Sequence, residues 1–276
     1  IATKKDGKEN IFAMNWEDIK TTKGDYKPKV IKKDESCSAK EHGTKITLRK
    51  IQRASDFSSE DIADALSKMF IIDSDFKITL RRNSEKPITI TNDRRFASLE
   101  KEIEWKIPAD SKFTDNYDKA NQIIGHLIAT KKPIPPKTDM RGIILFSRKK
   151  MVNRPEYFSD SISSHFFSYL TGWLEVDFID DLEEDVISTN RQSLNWGNEE
   201  MKKLREHLGG LLNWLERDWR KKREAKRQKE LSKATGINIP EWFSKLPEDI
   251  RKKIEPIVQA IIKDAELPDE INKKAV

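Results

Sequence analysis

The sequence predicts an α+β chain, and three observations predict it. Lys45-Ile-Thr-Leu-Arg-Lys-Ile51 alternates polar and apolar residues, which is the period of a strand. Residues 55–195 mix short β-branched runs with helix-cap signals. After Trp196 the period becomes helical: Leu204, Leu208, Leu211, Leu212, Leu215 and Trp219 fall on one stripe. The 276 residues therefore divide into strands with loops over 1–54, a mixed domain over 55–196 and a helical extension over 197–276.

Asn10-Ile-Phe-Ala-Met-Asn-Trp16 reads as the first strand, followed by a polar, lysine-rich stretch to about His42 with no evident core. In Lys45–Ile51, Ile46, Leu48 and Lys50 share one face, and Thr47, Arg49 and Ile51 the other. Ser58 or Ser59 caps a helix with Asp61 near its positive end and Ile62, Leu66, Met69 and Phe70 at helical spacing. Lys77–Arg81 and Pro87–Thr91 form a hairpin around Asn83-Ser-Glu. Gln122–Ala129 and Gly142–Ser147 are two more strands, flanking the turn Lys132-Pro-Ile-Pro-Pro136, and Ser161–Leu170 is a short helix. Gly209-Gly210 interrupts the leucine stripe, at about 1 kcal/mol per glycine relative to alanine. A charged run over Arg217–Glu230 ends at Gly236. A last helix from Pro247 carries Ile250, Ile254, Ile257, Val258 and Ile261, with Pro256 expected to kink or break it.

Composition closes several classes. Apolar and charged residues are each 36 %, low on core and rich in surface. Net charge is +6 over 53 basic and 47 acidic side chains, which permits a polyanionic partner without demanding one. Cys37 is the sole cysteine, so no intramolecular disulfide and no cysteine-built metal site can form, and a reducing, cytoplasmic location is the simplest expectation. The longest apolar runs are far too short for a bilayer, and Ile1 opens a polar stretch rather than a signal peptide. His42, His126, His165 and His207 have no zinc-ligand spacing, so no metal site is expected. The sequence has neither the glycine–serine elbow of esterases nor a P-loop. The tryptophans at 16, 105, 173, 196, 214, 219 and 242 are expected to be packing anchors.

Three segments carry chemistry. In His42-Gly-Thr-Lys-Ile-Thr-Leu48 a glycine before a strand lets backbone or ligand approach, and Thr44 adds a hydroxyl donor and acceptor. In Asp177–Leu194 an acidic loop ends in Ser188-Thr-Asn190, good helix caps, which would put Arg191 in the first turn of a helix. A basic residue there opposes the helix dipole, so propensity does not explain it. An arginine on such a loop presents planar donors to a phosphate. The bland reading is a salt bridge to an acidic neighbour. The carboxylates from Asp177 to Asp185 also suggest a divalent-metal site, although charge runs are usually solvated faces. In the charged helix, Arg220, Lys221, Lys222, Arg223, Lys226 and Arg227 could lie along nucleic-acid phosphates, against the alternative of a solvated helix laced with acid–base pairs.

Taken in order, these segments resemble the GHKL ATPases, the class of gyrase B, MORC proteins and the ninety-kilodalton heat-shock chaperone. Gly43-Thr-Lys-Ile-Thr-Leu48 resembles the strand that closes the Bergerat-type nucleotide domain. Arg141-Gly-Ile-Ile-Leu-Phe-Ser-Arg-Lys-Lys-Met-Val152 and Asp177–Leu194 resemble the strand and the arginine loop of the middle, or transducer, domain. The resemblance covers about residues 1–196. It implies that 1–54 are the end of the nucleotide-binding domain, with Gly43 and Thr44 beside the adenine. It implies that 55–196 are a split βαβ transducer domain of the ribosomal-protein-S5-like type, in which Arg191 meets the terminal phosphate and Gln192 orients the loop or the phosphate. Residues 197–276 would be a helical extension for coupling or dimerisation.

The implied cofactors are ATP and magnesium, and the implied assembly is a homodimer acting on a protein client or DNA. The family's metal-holding asparagine, its Asp-x-Gly-x-Gly and its glycine-rich lid do not precede Gly43. The expectation is therefore a piece of a longer ATPase that binds ATP poorly by itself. The alternative is a nucleic-acid-binding module, or a dimerisation module working through the Leu204–Trp219 stripe, without enzymatic activity.

Overall fold

The computed structural model describes the chain except Arg53, residues 159–164, Ile237 and residues 264–276. It is an α+β protein that divides into two units, Ile1–Phe57 and Ser58–Val276.

The first unit begins with β1 (Ala2–Lys5) and β2 (Lys8–Ala13), joined by Asp6-Gly7. Both turn residues have positive φ, 52° and 72°, the geometry whose twist matches a two-residue hairpin. Helix α1 (Trp16–Thr21) follows, capped by Asn15, whose Oδ1 accepts from Glu17 N at 2.9 Å. The expected strand over Asn10–Trp16 therefore stops at Ala13, because the cap diverts the chain into a helical turn. β3 (Lys29–Ser36) and β4 (Gly43–Lys45) complete an antiparallel sheet of order β3-β2-β1-β4. β3 lies inside the polar stretch in which the sequence shows no evident core. Its support is backbone pairing to β2 plus Lys32, which meets Glu9 and Glu35, each at 2.9 Å. The alternation of Lys45–Ile51 is not used for burial: pairing ends at Lys45, and Ile46, Leu48 and Ile51 are exposed. None of the described residues of this unit is buried.

In the second unit α2 (Ser59–Met69) is capped by Ser58, whose Oγ accepts from Asp61 N. β5 (Thr79–Leu80) and β6 (Ile88–Thr89) pair as a short hairpin within the expected segments. The central sheet contains β7 (Lys101–Ile107), β8 (Ile124–Thr130), β9 (Gly142–Ser147), β10 (Lys150–Met151) and β11 (Leu170–Glu175), in the order β10-β9-β11-β8-β7. All neighbours are antiparallel except β9 and β11. A split βαβ unit would put a strand between two parallel ones joined by a helix. Here β9 and β11 are direct neighbours, and the described part of their connection holds β10 and a 3-10 turn at His165–Ser168. Of the helix expected over Ser161–Leu170, residues 161–164 lie outside the described residues, and Leu170 already belongs to β11.

The pleat sends alternate residues to two apolar layers. Trp105, Leu127, Ala129, Ile143, Leu145, Leu170 and Leu174 face one layer, Ile128, Ile144, Phe146 and Trp173 the other. The first is covered by α3 (Glu199–Thr235), a helix of 37 residues capped by Asn198. Its stripe Leu204, Leu208, Leu211, Leu212, Leu215 and Trp219 is fully buried against the sheet, each leucine stabilising by about 1.5–3 kcal/mol. The stripe is thus core of the second unit and not a surface for self-association. Gly209-Gly210 does not interrupt the helix. A Cβ on Gly210 would stand 2.5 Å from Phe113 Cζ, and one on Gly209 would stand 3.1 Å from the Phe158 carbonyl oxygen, so the glycines admit those groups against the helix.

On the opposite layer Arg95 is buried, its Nε and Nη2 donating to the carbonyls of Ser67 and Phe70 at 2.8 and 2.7 Å, its guanidinium 4.7 Å from the Phe146 ring. Burial lowers its pKa to about 10, which leaves it charged at neutral pH and fixes the end of α2 to the sheet. Two further helices, α4 (Ile239–Lys245) and α5 (Glu248–Lys263), form a small cluster of Ile239, Phe243, Ile254 and Val258. α5 continues through Pro256. Ile250 and Ile257 of its expected stripe are exposed, and the Ile261 side chain lies outside the described residues.

Candidate functional site

The Arg191 segment is a tight reversal, not a helix start. Val186 and Leu194 both enter the core, so the chain must turn back within the residues between them. Ile187 bridges Leu194, Ser188 N donates to Ser193 O at 3.0 Å, and Arg191 N donates to Ser188 O at 2.7 Å. The Ser188 hydroxyl accepts from the amides of Gln192 and Ser193, and Asn190 Oδ1 also accepts from Gln192 N. The expected caps therefore serve the turn, and the helix begins later, behind Asn198. Arg191 itself has φ +53°, a left-handed conformation that costs a non-glycine residue roughly 1 kcal/mol or more.

The guanidinium makes no ion pair with any described residue, and its Nη1, shielded from solvent, has no hydrogen-bond partner. The salt bridge anticipated for it is absent among the described residues. It lines a cavity of about 390 Å³ with Asp180, Glu183, Glu184, Asp185, Ser188 and Thr189. Several carboxylates of the acidic stretch are committed elsewhere. Asp177 accepts from Arg148 N at 2.7 Å, Asp180 from Ser147 Oγ at 2.8 Å and Asp185 from Ile187 N at 3.0 Å. Asp181 pairs with Arg148 at 2.7 Å, and Glu184 accepts from Asn198 Nδ2 at 2.8 Å. The acidic stretch is the scaffold of the loop, and among the described residues no three His, Cys, Asp or Glu side chains converge as metal ligands. Gln192 is exposed; its Oε1 accepts from Arg154 Nε and Nη2 at 3.0 and 2.6 Å, and its carbonyl accepts from Arg154 N. Arg154 is the residue that sequence reasoning missed here, and its separation from Gln192 leaves no local signal.

Gly43 and Thr44 lie on β4 in the first unit. Gly43 has φ +129°, and nothing lies within 4 Å of a Cβ placed on it, so the glycine answers to backbone conformation and not to crowding. The Thr44 hydroxyl is exposed and 3.3 Å from that of Thr3.

Four of the six basic candidates on α3 are held by this chain's own acids. Arg220 pairs with Glu216 and Lys222 with Asp218, each at 2.7 Å. Arg223 and Lys226 meet the buried Glu102 carboxylate at 3.4 and 3.1 Å. Arg227 is buried, and Lys221 is exposed. Asp218 also accepts from Trp105 Nε1 at 2.7 Å, which ties α3 to β7.

The histidines, unremarkable by spacing, include one organised site. His207 is buried, with Nδ1 2.8 Å from Asp115 Oδ2 and Phe113 and Tyr117 against its ring. Tyr117 donates to Glu200, which Lys119 also meets at 3.0 Å. Burial opposes ionisation of Glu200, but the hydrogen bonds from Lys119 and Tyr117 outweigh it and hold the pKa below its ordinary value. This cluster secures the 108–119 loop to α3. Among the described residues no helix is long and apolar enough to cross a membrane. Comparison with family models, with curated proteins and with solved structures finds no match to this chain.

Proposed function

We propose that the chain belongs to an ATP-driven conformational clamp of the GHKL class, in which Arg191 answers to the terminal phosphate of ATP. The observation that carries the reading is the orphaned guanidinium: a shielded donor without a protein acceptor, on a turn held by the Ser188 hydroxyl. Such a donor costs about 1–3 kcal/mol if nothing meets it, and phosphate, like carboxylate, matches the geometry of its planar fork. Gln192, gripped by Arg154, fixes the far side of the turn and positions the arginine.

In this reading the Ser188 turn does the work of orientation. Phosphoryl transfer leaves the protein little covalent chemistry, so rate comes from placement and charge. An arginine supplied in this way is worth on the order of 10³–10⁵ in rate. Gly43 and Thr44 would stand on the adenine side of the nucleotide. Residues 55–196 would be the transducer, and a loop engaged only with ATP present supplies the differential interaction a switch requires. A homodimer acting on a protein client or DNA completes the proposal.

The test is ATP hydrolysis and nucleotide affinity of the full-length protein with and without Arg191→Ala. A fall of at least a hundredfold in turnover, with affinity within a few-fold, is the expected result. Unchanged turnover would remove Arg191 from any nucleotide chemistry.

A further inference from the structure

Residues 1–57 hold 14 of the 53 basic side chains and 9 of the 47 acidic ones, so five of the six net positive charges lie in about a fifth of the sequence. The same unit contains a cleft of about 850 Å³, at the upper end of ligand-site volumes. Trp16 and Lys20 of α1, Tyr26, Lys29 at the start of β3, and Arg49 and Lys50 beyond β4 line it. Trp16 is 66 % exposed, whereas Trp105 and Trp219 are fully buried. A single exposed apolar side chain needs no explanation, but this indole stands inside a cleft where four cations, Lys20, Lys29, Arg49 and Lys50, outnumber the two carboxylates of Glu17 and Asp18.

Those cations are free. Lys29, Arg49 and Lys50 make no ion pair with any described residue, in contrast to the paired cations of α3. Lys20 lies 5.2 Å from the Trp16 ring centroid and 3.7 Å from Glu17. Asp18 also lines the cleft and is an exposed acceptor there.

We infer that this cleft binds single-stranded nucleic acid, a base stacking on Trp16 while neighbouring phosphates lie along Lys29, Arg49 and Lys50. An accessible aromatic face with a cationic track is the arrangement that takes an unpaired strand, since every base offers a planar face and every linkage a charge. A duplex hides its base faces, and an acidic peptide brings no planar group for the indole. The inference uses none of the Arg191 loop and stands or falls apart from it.

The experiment is fluorescence anisotropy of a labelled oligothymidylate of about ten nucleotides with the full chain over a salt series. The expected result is salt-dependent binding that Trp16→Ala weakens on the order of tenfold. Arg49→Gln with Lys50→Gln lowers the log–log salt slope by about 0.7 for each phosphate no longer neutralised. An equal-length duplex binds more weakly, and excess adenosine monophosphate does not displace the strand. The inference is overturned if both variants bind like the parent, which would mark a diffuse polyanion effect. It is equally overturned if the mononucleotide displaces the strand completely, which would make the cleft a nucleotide pocket. Circular dichroism of each variant separates lost binding from lost folding, and the two variants remove different groups from the cleft.

Discussion

The two units both rest on β-ladders, yet they hold themselves together differently. In residues 1–57 a four-stranded sheet pairs its backbone groups without fully burying any described side chain, and its lysines and glutamates supply the cross-strand contacts. In the second unit a five-stranded sheet lies under a helix whose leucines are wholly out of water. Backbone pairing satisfies polar groups, but it is apolar burial that supplies most of the free energy. The comparison implies that the first sheet depends on charge and solvent conditions, whereas the second depends on side-chain shape.

The largest effect should come from deleting shape at the centre of the second unit. Trp219→Ala removes a buried indole packed 5.3 Å from the Phe166 ring and 5.6 Å from that of Tyr169. A loss of about 3–5 kcal/mol is expected, read as a lowered urea midpoint by far-ultraviolet circular dichroism. A change under about 1 kcal/mol would mean that this layer is not what holds the unit.

A smaller effect separates propensity from packing. Helix propensity alone makes Gly210→Ala stabilising by about 1 kcal/mol. The Phe113 ring stands where the new methyl must go, and overpacking costs about 1–3 kcal/mol. A net destabilisation of up to about 2 kcal/mol is therefore expected, relieved when Phe113→Leu is added. A stabilised single variant would show that the ring moves freely.

The smallest effect belongs to the first unit. The hydrogen bond from Lys32 holds the Glu9 pKa below its ordinary 4.5 in spite of the opposing cost of desolvation. A lowered folded-state value means that the pair's contribution is present above pH 4.5 and is lost as pH falls through the depressed folded value. Glu9→Gln should therefore speed amide hydrogen exchange in β2 and β3 at neutral pH and low salt. The difference from the parent should shrink in high salt and vanish in acid, with exchange in α3 unaltered. Equal sensitivity in both units would dissolve the contrast.

What the sequence made legible follows the same division. β9, the α2 cap and the leucine stripe of α3 were readable because burial imposes a period on the residues that achieve it. β3 was not, because a strand whose side chains stay in water needs no apolar alternation. Asp6-Gly7 was the available sign of the hairpin that β3 joins. The turn holding Arg191 was mistaken for a helix start because serine and asparagine cap helices and turns by the same hydrogen bonds. The freedom of the Arg191 guanidinium, the dyad of His207 with Asp115 and the exposure of Trp16 depend on partners distant in sequence, or on their absence, and spacing does not encode either.

The glycine pair in α3 has a further consequence. Gly210 and Phe113 share one small volume, so they behave as a single heritable decision written at two distant places in the chain. A lineage that enlarges the first must trim the second, and each change alone passes through a less stable intermediate. The pair should drift together among descendants of this chain, and a designer who varies the helix while holding the loop fixed would meet a barrier that helix rules do not reveal.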